Sequence, residues 1–160
     1  STEKIDPRHL AGLYNAVDCT INISDAEGFG LGTMESLSCE TPIIVTMTGG
    51  LQEQVTDGEN WFGIGLKPAS SAIIGSLQVP YIREDRVSEE DVVQALLDMY
   101  NKTDEERSAI GKAGREHILR NYNFDDYGNK WVELMDKIHE EHGSWDNRKK
   151  HNRWVLKEIR

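Results

Sequence analysis

Residues 27–35 read E-G-F-G-L-G-T-M-E, three alternating glycines held between two carboxylates. A short strand-like run, residues 19–24, precedes them, and a helical stretch that ends before Pro42 follows. A glycine-rich turn from a strand into a helix aims bare backbone N–H groups at one point, where they can hold a phosphate. The second carboxylate, Glu35, falls in the first turns of that helix, within reach of hydroxyls on whatever the phosphate carries. The turn therefore points to a phosphorylated, hydroxyl-rich ligand.

The surrounding pattern says what kind of fold holds such a turn. Asp6-Pro7 has the form of an N-cap followed by proline at the first helical position, and predicts a short helix through Leu10, Leu13 and Tyr14. Residues 42–45, P-I-I-V, form a wholly apolar strand, as expected where both faces of a sheet are covered. Gly49-Gly50 opens a second turn, residues 51–55 a short helix, and residues 62–66 a third strand. Strands and helices alternating at this spacing predict an α/β fold, a Rossmann-like parallel sheet with flanking helices. Ligands of such sheets lie at the carboxyl ends of the strands, and both glycine turns fall at that edge.

Residues 67–87 break the alternation. They mix turn residues with two short β-like runs and read as an excursion on the same edge, in the form of a hairpin. The C-terminal third is helical. Ser88 caps a helix whose apolar face is Val92, Leu96, Met99 and Tyr100. Thr103 and Glu106 form a capping box for the next helix, with Ile110, Ala113, His117 and Ile118 inward. A third helix, from about Asp125, is expected to bury Trp131, Leu134, Met135 and Ile138. The domain expected from these elements covers residues 1–145 and is incomplete at its N-terminus, and residues 146–160 form a basic C-terminal helix.

Composition excludes some functions. The 160 residues carry a net charge of −10, which argues against nucleic acid as the partner. The charge is uneven: residues 148–160 net +5 and the remainder −15. The basic tail reads as a solvated face or a strap. No apolar run approaches the ~20 residues of a membrane span. With no secretory pattern in S-T-E-K-I-D-P, Cys19 in a predicted buried strand and Cys39 at a helix end are expected to be reduced thiols of a cytoplasmic protein. A first residue other than Met leads to the expectation that the chain was cut from a longer one.

The glycines match neither the dinucleotide fingerprint G-x-G-x-x-G nor the P-loop, because they alternate and no Gly-Lys-Ser/Thr follows. Glu27 and Glu35 are expected at opposite ends of one crevice. Taken as a pair alone they equally fit one surface glutamate and one favoured by a helix dipole. His139 and His142, three apart on a predicted helix, lack a third ligand and are expected to face solvent, so no metal site is read there. Trp131 and Trp154 sit at core spacing.

E-G-F-G-L-x-x-x-E, followed by S-L-S-C-E-T-P-I-I-V and T-G-G-L-Q-E, resembles the C-terminal, donor-binding half of retaining nucleotide-sugar glycosyltransferases of the group 1 type, built from two Rossmann-like domains (the GT-B fold). The resemblance is strong over residues 6–65 and weaker at 121–131, N-Y-N-F-D-D-Y-G-N-K-W. It implies that Glu27 lies at the donor sugar as the catalytic carboxylate and that Glu35 accepts hydrogen bonds from ribose hydroxyls. It implies that the amides of Phe29, Gly30, Leu31 and Gly32 hold sugar and diphosphate, with Gly49 and Gly50 at the same edge. It implies no metal or other cofactor, because the leaving diphosphate is stabilised by amides, a helix N-terminus and basic side chains. The partners it implies are a nucleotide sugar and an N-terminal acceptor domain of the same protein, with peripheral membrane association through that domain left open. On this expectation the isolated chain is inactive, because half of the crevice lies elsewhere. A non-catalytic nucleotide-sugar-binding module, or a sugar epimerase or phosphorylase on the same fold, stays open at this point.

The chain departs from the family pattern in two places. Where the family has glycine before the x-Pro, this chain has Glu40, which leads to the expectation that the helix end is rebuilt, since a left-handed glutamate costs about 1 kcal/mol. The basic residues that clamp the diphosphate lie upstream of Asp6 in the family. Of the cations present, Arg83 and Arg86 are the two placed to reach the crevice.

Overall fold

A computed structural model describes residues 4–149. The elements are α1 (Pro7–Asn15), β1 (Thr20–Asn22), α2 (Leu31–Ser38), β2 (Ile43–Thr46), α3 (Leu51–Val55), β3 (Gly63–Leu66), β4 (Ser70–Ile74), β5 (Ile82–Arg86), α4 (Glu89–Tyr100), α5 (Asp104–Asn121) and α6 (Phe124–His142). They form two compact units, divided after Asn121. The fold is α/β, with a parallel sheet, flanking helices and a helical C-terminal third.

In the first unit the sheet has the order β1-β2-β3. Both pairings are parallel, with Ile21 opposite Ile44 and Ile44 opposite Ile64. The central strand β2 is buried along its whole length, as its unbroken apolar run requires. On one face Ile44 and Leu66 pack with Ala95 and Met99 of α4, joined by Cys19, Ile64, Val87 and Val92. Leu37, Leu51, Val55, Phe62 and Ile118 are also buried, and α2, α3 and α5 pack against one another around them.

Helix α5 approaches α2 through its glycines. A Cβ at Gly114 would stand 2.6 Å from Leu37 Cδ2, and one at Gly111 would overlap the backbone of Glu40. His117 is buried and stacks on Phe62 with ring centroids 4.4 Å apart. Its Nε2 lies 2.8 Å from the Glu53 carbonyl oxygen, and its Nδ1 lies 2.9 Å from Asn121 Nδ2.

The predicted caps are present. The Asp6 carboxylate accepts from the Arg8 N–H, with Pro7 opening α1. Ser88 accepts from the Asp91 N–H. Thr103 and Glu106 bond each other's backbone N–H in a reciprocal capping box. The 67–87 excursion is an antiparallel hairpin, β4 with β5, in which Ser71 pairs with Asp85 and Ile73 with Arg83.

Several expectations are corrected. Helix α2 begins at Leu31, two residues before Thr33, where the sequence predicts its start, because Gly30 already supplies the turn. Strand β1 is shorter than predicted and lies at the edge of the described sheet. Ile21 within it and Ile23 just after it are each 46% exposed and Cys19 is only partly buried, since an outer strand is covered less than a central one. On α4 the buried residues are Ala95 and Met99, whereas Leu96 and Tyr100 are exposed.

In the second unit no residue of α6 is buried. Trp131, Leu134, Met135 and Ile138, expected in the core, are about half exposed. One amphipathic helix cannot cover its own apolar stripe, and α6 is the sole helix among the described residues of its unit. Phe124, Tyr127 and Trp131 instead line up along it, with ring centroids 6.0 and 6.2 Å apart. His139 and His142 are exposed. Residues 146–149 are not helical; the rest of the expected basic helix, with Trp154, lies outside the described residues. No helix among the described residues is long and apolar enough to cross a membrane.

Candidate functional site

The two glycine turns meet at the carboxyl edge of the sheet. β1 ends at Asn22, whose side-chain oxygen accepts from the Ser24 N–H at 3.1 Å and from the Ser24 hydroxyl at 2.7 Å. This local turn diverts the chain out of the strand. The chain then passes through Glu27 and Gly28 to Gly30, the N-cap of α2, in the left-handed region at φ 86°. Of the three alternating glycines, Gly30 is the one whose backbone needs glycine for its φ. A Cβ there would also stand 2.5 Å from Leu51 Cδ2.

The second turn presses against the first. The Gly50 N–H donates to the Gly28 carbonyl at 3.1 Å. A Cβ at Gly49 would lie 1.7 Å from the Glu27 carbonyl oxygen, and one at Gly50 2.7 Å from the Phe29 carbonyl oxygen. Only glycine at both positions allows this approach. Beneath the loops Gln54 is fully buried, and its amide donates to the Phe29 carbonyl. The result is a closely packed platform under the start of α2.

No side chain caps α2. Its first N–H groups have no intrahelical acceptor and carry the positive end of the helix dipole. Such a terminus can hold an anion. Glu27 stands beside it, with Oε1 accepting from the Gly28 N–H at 3.0 Å.

Glu27 and Glu35 line different hollows. Glu27 lines a polar hollow of about 690 Å³ with Thr48, Gly49, Gln52, Arg83 and Asp85. Glu35 lines a largely apolar hollow of about 350 Å³ between α1 and α2, with Leu10, Tyr14, Leu31 and Met34. The Tyr14 hydroxyl donates to Glu35 Oε2 at 2.9 Å. Burial, followed by that bond and the Glu35 charge, pushes the Tyr14 phenol up to about 12.

Arg83 reaches the polar hollow, as one of the two placements considered for the excursion's cations; Arg86 instead pairs with Glu84 at 2.9 Å. Glu40 keeps the left-handed conformation, at φ 62°, so the helix end is not rebuilt. The sequence placed the T-G-G turn and the 67–87 excursion at this edge, but did not single out the side chains of Thr48, Gln54, Ser71 or Asp85 there, nor Tyr14 as the partner of Glu35. Each acts across a long stretch of chain, with a sequence separation of 21 from Tyr14 to Glu35 and of 37 from Thr48 to Asp85.

The family model "Glycosyl transferases group 1" matches residues 2–117, which include every loop just described. The chain belongs to the group 1 glycosyl transferases. Among curated members, a D-inositol 3-phosphate glycosyltransferase of Acidothermus cellulolyticus is 40% identical over 83 residues, 51% of this chain and 18% of that protein. A protein of the same description from Corynebacterium urealyticum is 28% identical over 132 residues, 82% of this chain and 26% of its own length. The chain thus spans about a fifth to a quarter of these family members. Among solved structures, sucrose-phosphate synthase from Thermosynechococcus elongatus superposes with a TM-score of 0.64 at 24% identity, over 87% of this chain and 30% of that one. That likeness concerns the fold alone.

Proposed function

We propose that this chain is the donor-binding part of a retaining glycosyltransferase, which moves a sugar from a nucleoside diphosphate sugar to an acceptor hydroxyl. The observation that carries this reading is the placement of the uncapped α2 terminus beside Glu27, with a polar hollow on the Glu27 side and an apolar one holding Glu35. A nucleotide sugar has the same order of parts: a hydroxyl-rich ring, a diphosphate, a ribose and a flat apolar base.

In this reading the amides of Phe29, Gly30, Leu31 and Gly32 hold the diphosphate, with Gly49 and Gly50 closing the turn from the other side. Glu35 accepts from the ribose hydroxyls, and Leu10, Leu31 and Met34 lie along the base. Glu27 faces the sugar and the positive charge that grows at its anomeric carbon. The bond from that carbon to the diphosphate breaks, and one to the acceptor oxygen forms on the same face. The acceptor's proton passes to the leaving phosphate oxygen. The helix terminus stabilises the charge that grows on that phosphate, and no metal is needed. The acceptor is supplied by an N-terminal domain of the same protein, so this chain alone binds donor and does not turn it over.

The test is an amide NMR titration of the chain with UDP, GDP and ADP, repeated on Glu35→Ala. The expected result is shifts confined to residues 27–35 and 49–53, weakened in the variant. A folded spectrum that no nucleotide perturbs, or one perturbed equally in the variant, would overturn the assignment.

A further inference from the structure

The β4–β5 hairpin is pinned to both glycine loops through one residue. The Asp85 N–H donates to the Asp25 carbonyl, in the loop after β1, at 2.7 Å. One carboxylate oxygen of Asp85 accepts from Thr48, in the loop after β2, at 2.9 Å, and the other accepts from Ser71 across the hairpin. The Asp85 side chain is only 15% exposed. Its two hydroxyl partners, Ser71 first, hold its carboxyl below the ordinary range. It therefore stays ionised at neutral pH.

Arg83 lies two residues away on the same face of β5. Its Nε stands 3.5 Å from Asp85 and its Nη2 3.5 Å from the Ser71 hydroxyl. Its side chain is 73% exposed, so most of its donor fork stays open. Among the described residues it is the one cation lining the polar hollow, whose described carboxylates are Glu27 and Asp85.

The balance of charges selects a ligand class. Among the described residues of the hollow, two carboxylates against one guanidinium repel an added anion on the sugar, which disfavours uronic acids and phosphorylated sugars. A fixed acceptor beside an open donor matches neighbouring hydroxyls, each of which donates once and accepts elsewhere. Ala26, Met47 and Pro68, in the same lining, offer apolar surface for the C–H face of a ring.

We infer that Arg83 and Asp85 form a sugar-reading wall supplied by the hairpin, which selects a neutral hexose with vicinal hydroxyls as the transferred group. This rests on the donor-site reading above. Arg83 contacts the hydroxyls, and Asp85 both accepts from them and holds the hairpin in place.

The experiment compares the chain with Arg83→Gln and Asp85→Asn. UDP, GDP and ADP are titrated first, followed by the glucose, galactose and mannose esters of whichever nucleotide binds. The expected result is that each variant weakens the preferred hexose ester about tenfold, the size of one or two hydrogen bonds, and leaves the bare nucleotide within about twofold. Arg83→Gln changes an exposed side chain and leaves the pinned Asp85 intact, so it reads sugar contact even if Asp85→Asn loosens the hairpin. Equal weakening of nucleotide and ester, or no weakening of any ester by Arg83→Gln, would overturn the inference. A wild-type chain that binds no nucleotide would overturn the donor-site reading, and the sugar wall with it.

Discussion

The backbone of Glu40 lies so close to Gly111 that a Cβ at 111 would stand 1.8 Å from the Glu40 carbonyl oxygen. This contact seats α5 against the end of α2, and through α2 it supports the loop that carries Glu27. Gly111→Ala must push the helix away or distort the turn. Overpacking of this kind costs about 1–3 kcal/mol, and the expected outcome is a matching fall in the denaturant midpoint.

Glu40→Gly should act in the opposite direction. Glu40 sits at φ 62°, a conformation that costs a side-chain-bearing residue about 1–2 kcal/mol. Its carboxylate is 3.8 Å from Arg115 Nε, with both side chains nearly half exposed, and such pairs contribute about 0–1 kcal/mol. The gain from relieved strain exceeds the lost pair. The variant is expected to unfold at higher denaturant, by about 0.5–1 kcal/mol. The Arg115 bond to the Ser38 carbonyl does not involve the changed side chain.

Tyr14 and Glu35 make the stability of the first unit sensitive to alkali. The phenol rises from its ordinary 10 to about 12 in the folded chain. A group raised in this way stabilises the fold fully below its unfolded value, so its contribution is lost as pH climbs from about 10 towards about 12. A ring-carbon NMR titration should place the Tyr14 midpoint well above the ordinary phenol value of 10. Glu35→Gln should bring its titration part of the way back. Full reversion is not expected, because burial is the larger cause and persists in the variant.

Local chemistry was legible in the residues themselves. Asp6, Ser88 and the Thr103–Glu106 box announce helix starts because a cap acts within three residues of itself. The run at residues 42–45 announces a central strand because alternation vanishes when both faces are covered. The glycine pattern of residues 27–35 marked the turn because backbone freedom is a property of the residue at that position, and the family became legible only with the two flanking glutamates and the segments that follow.

What only the tertiary structure decided are the meetings of distant segments. Gln54 under Phe29, Gly50 on Gly28, Tyr14 on Glu35 and Asp85 on Thr48 depend on how strands and helices pack, and no period in the chain encodes them. The same reason explains α6. Its apolar spacing predicted a buried stripe, yet periodicity states only which face is apolar. Whether that face is covered depends on a partner surface, and within its own unit α6 has none among the described residues.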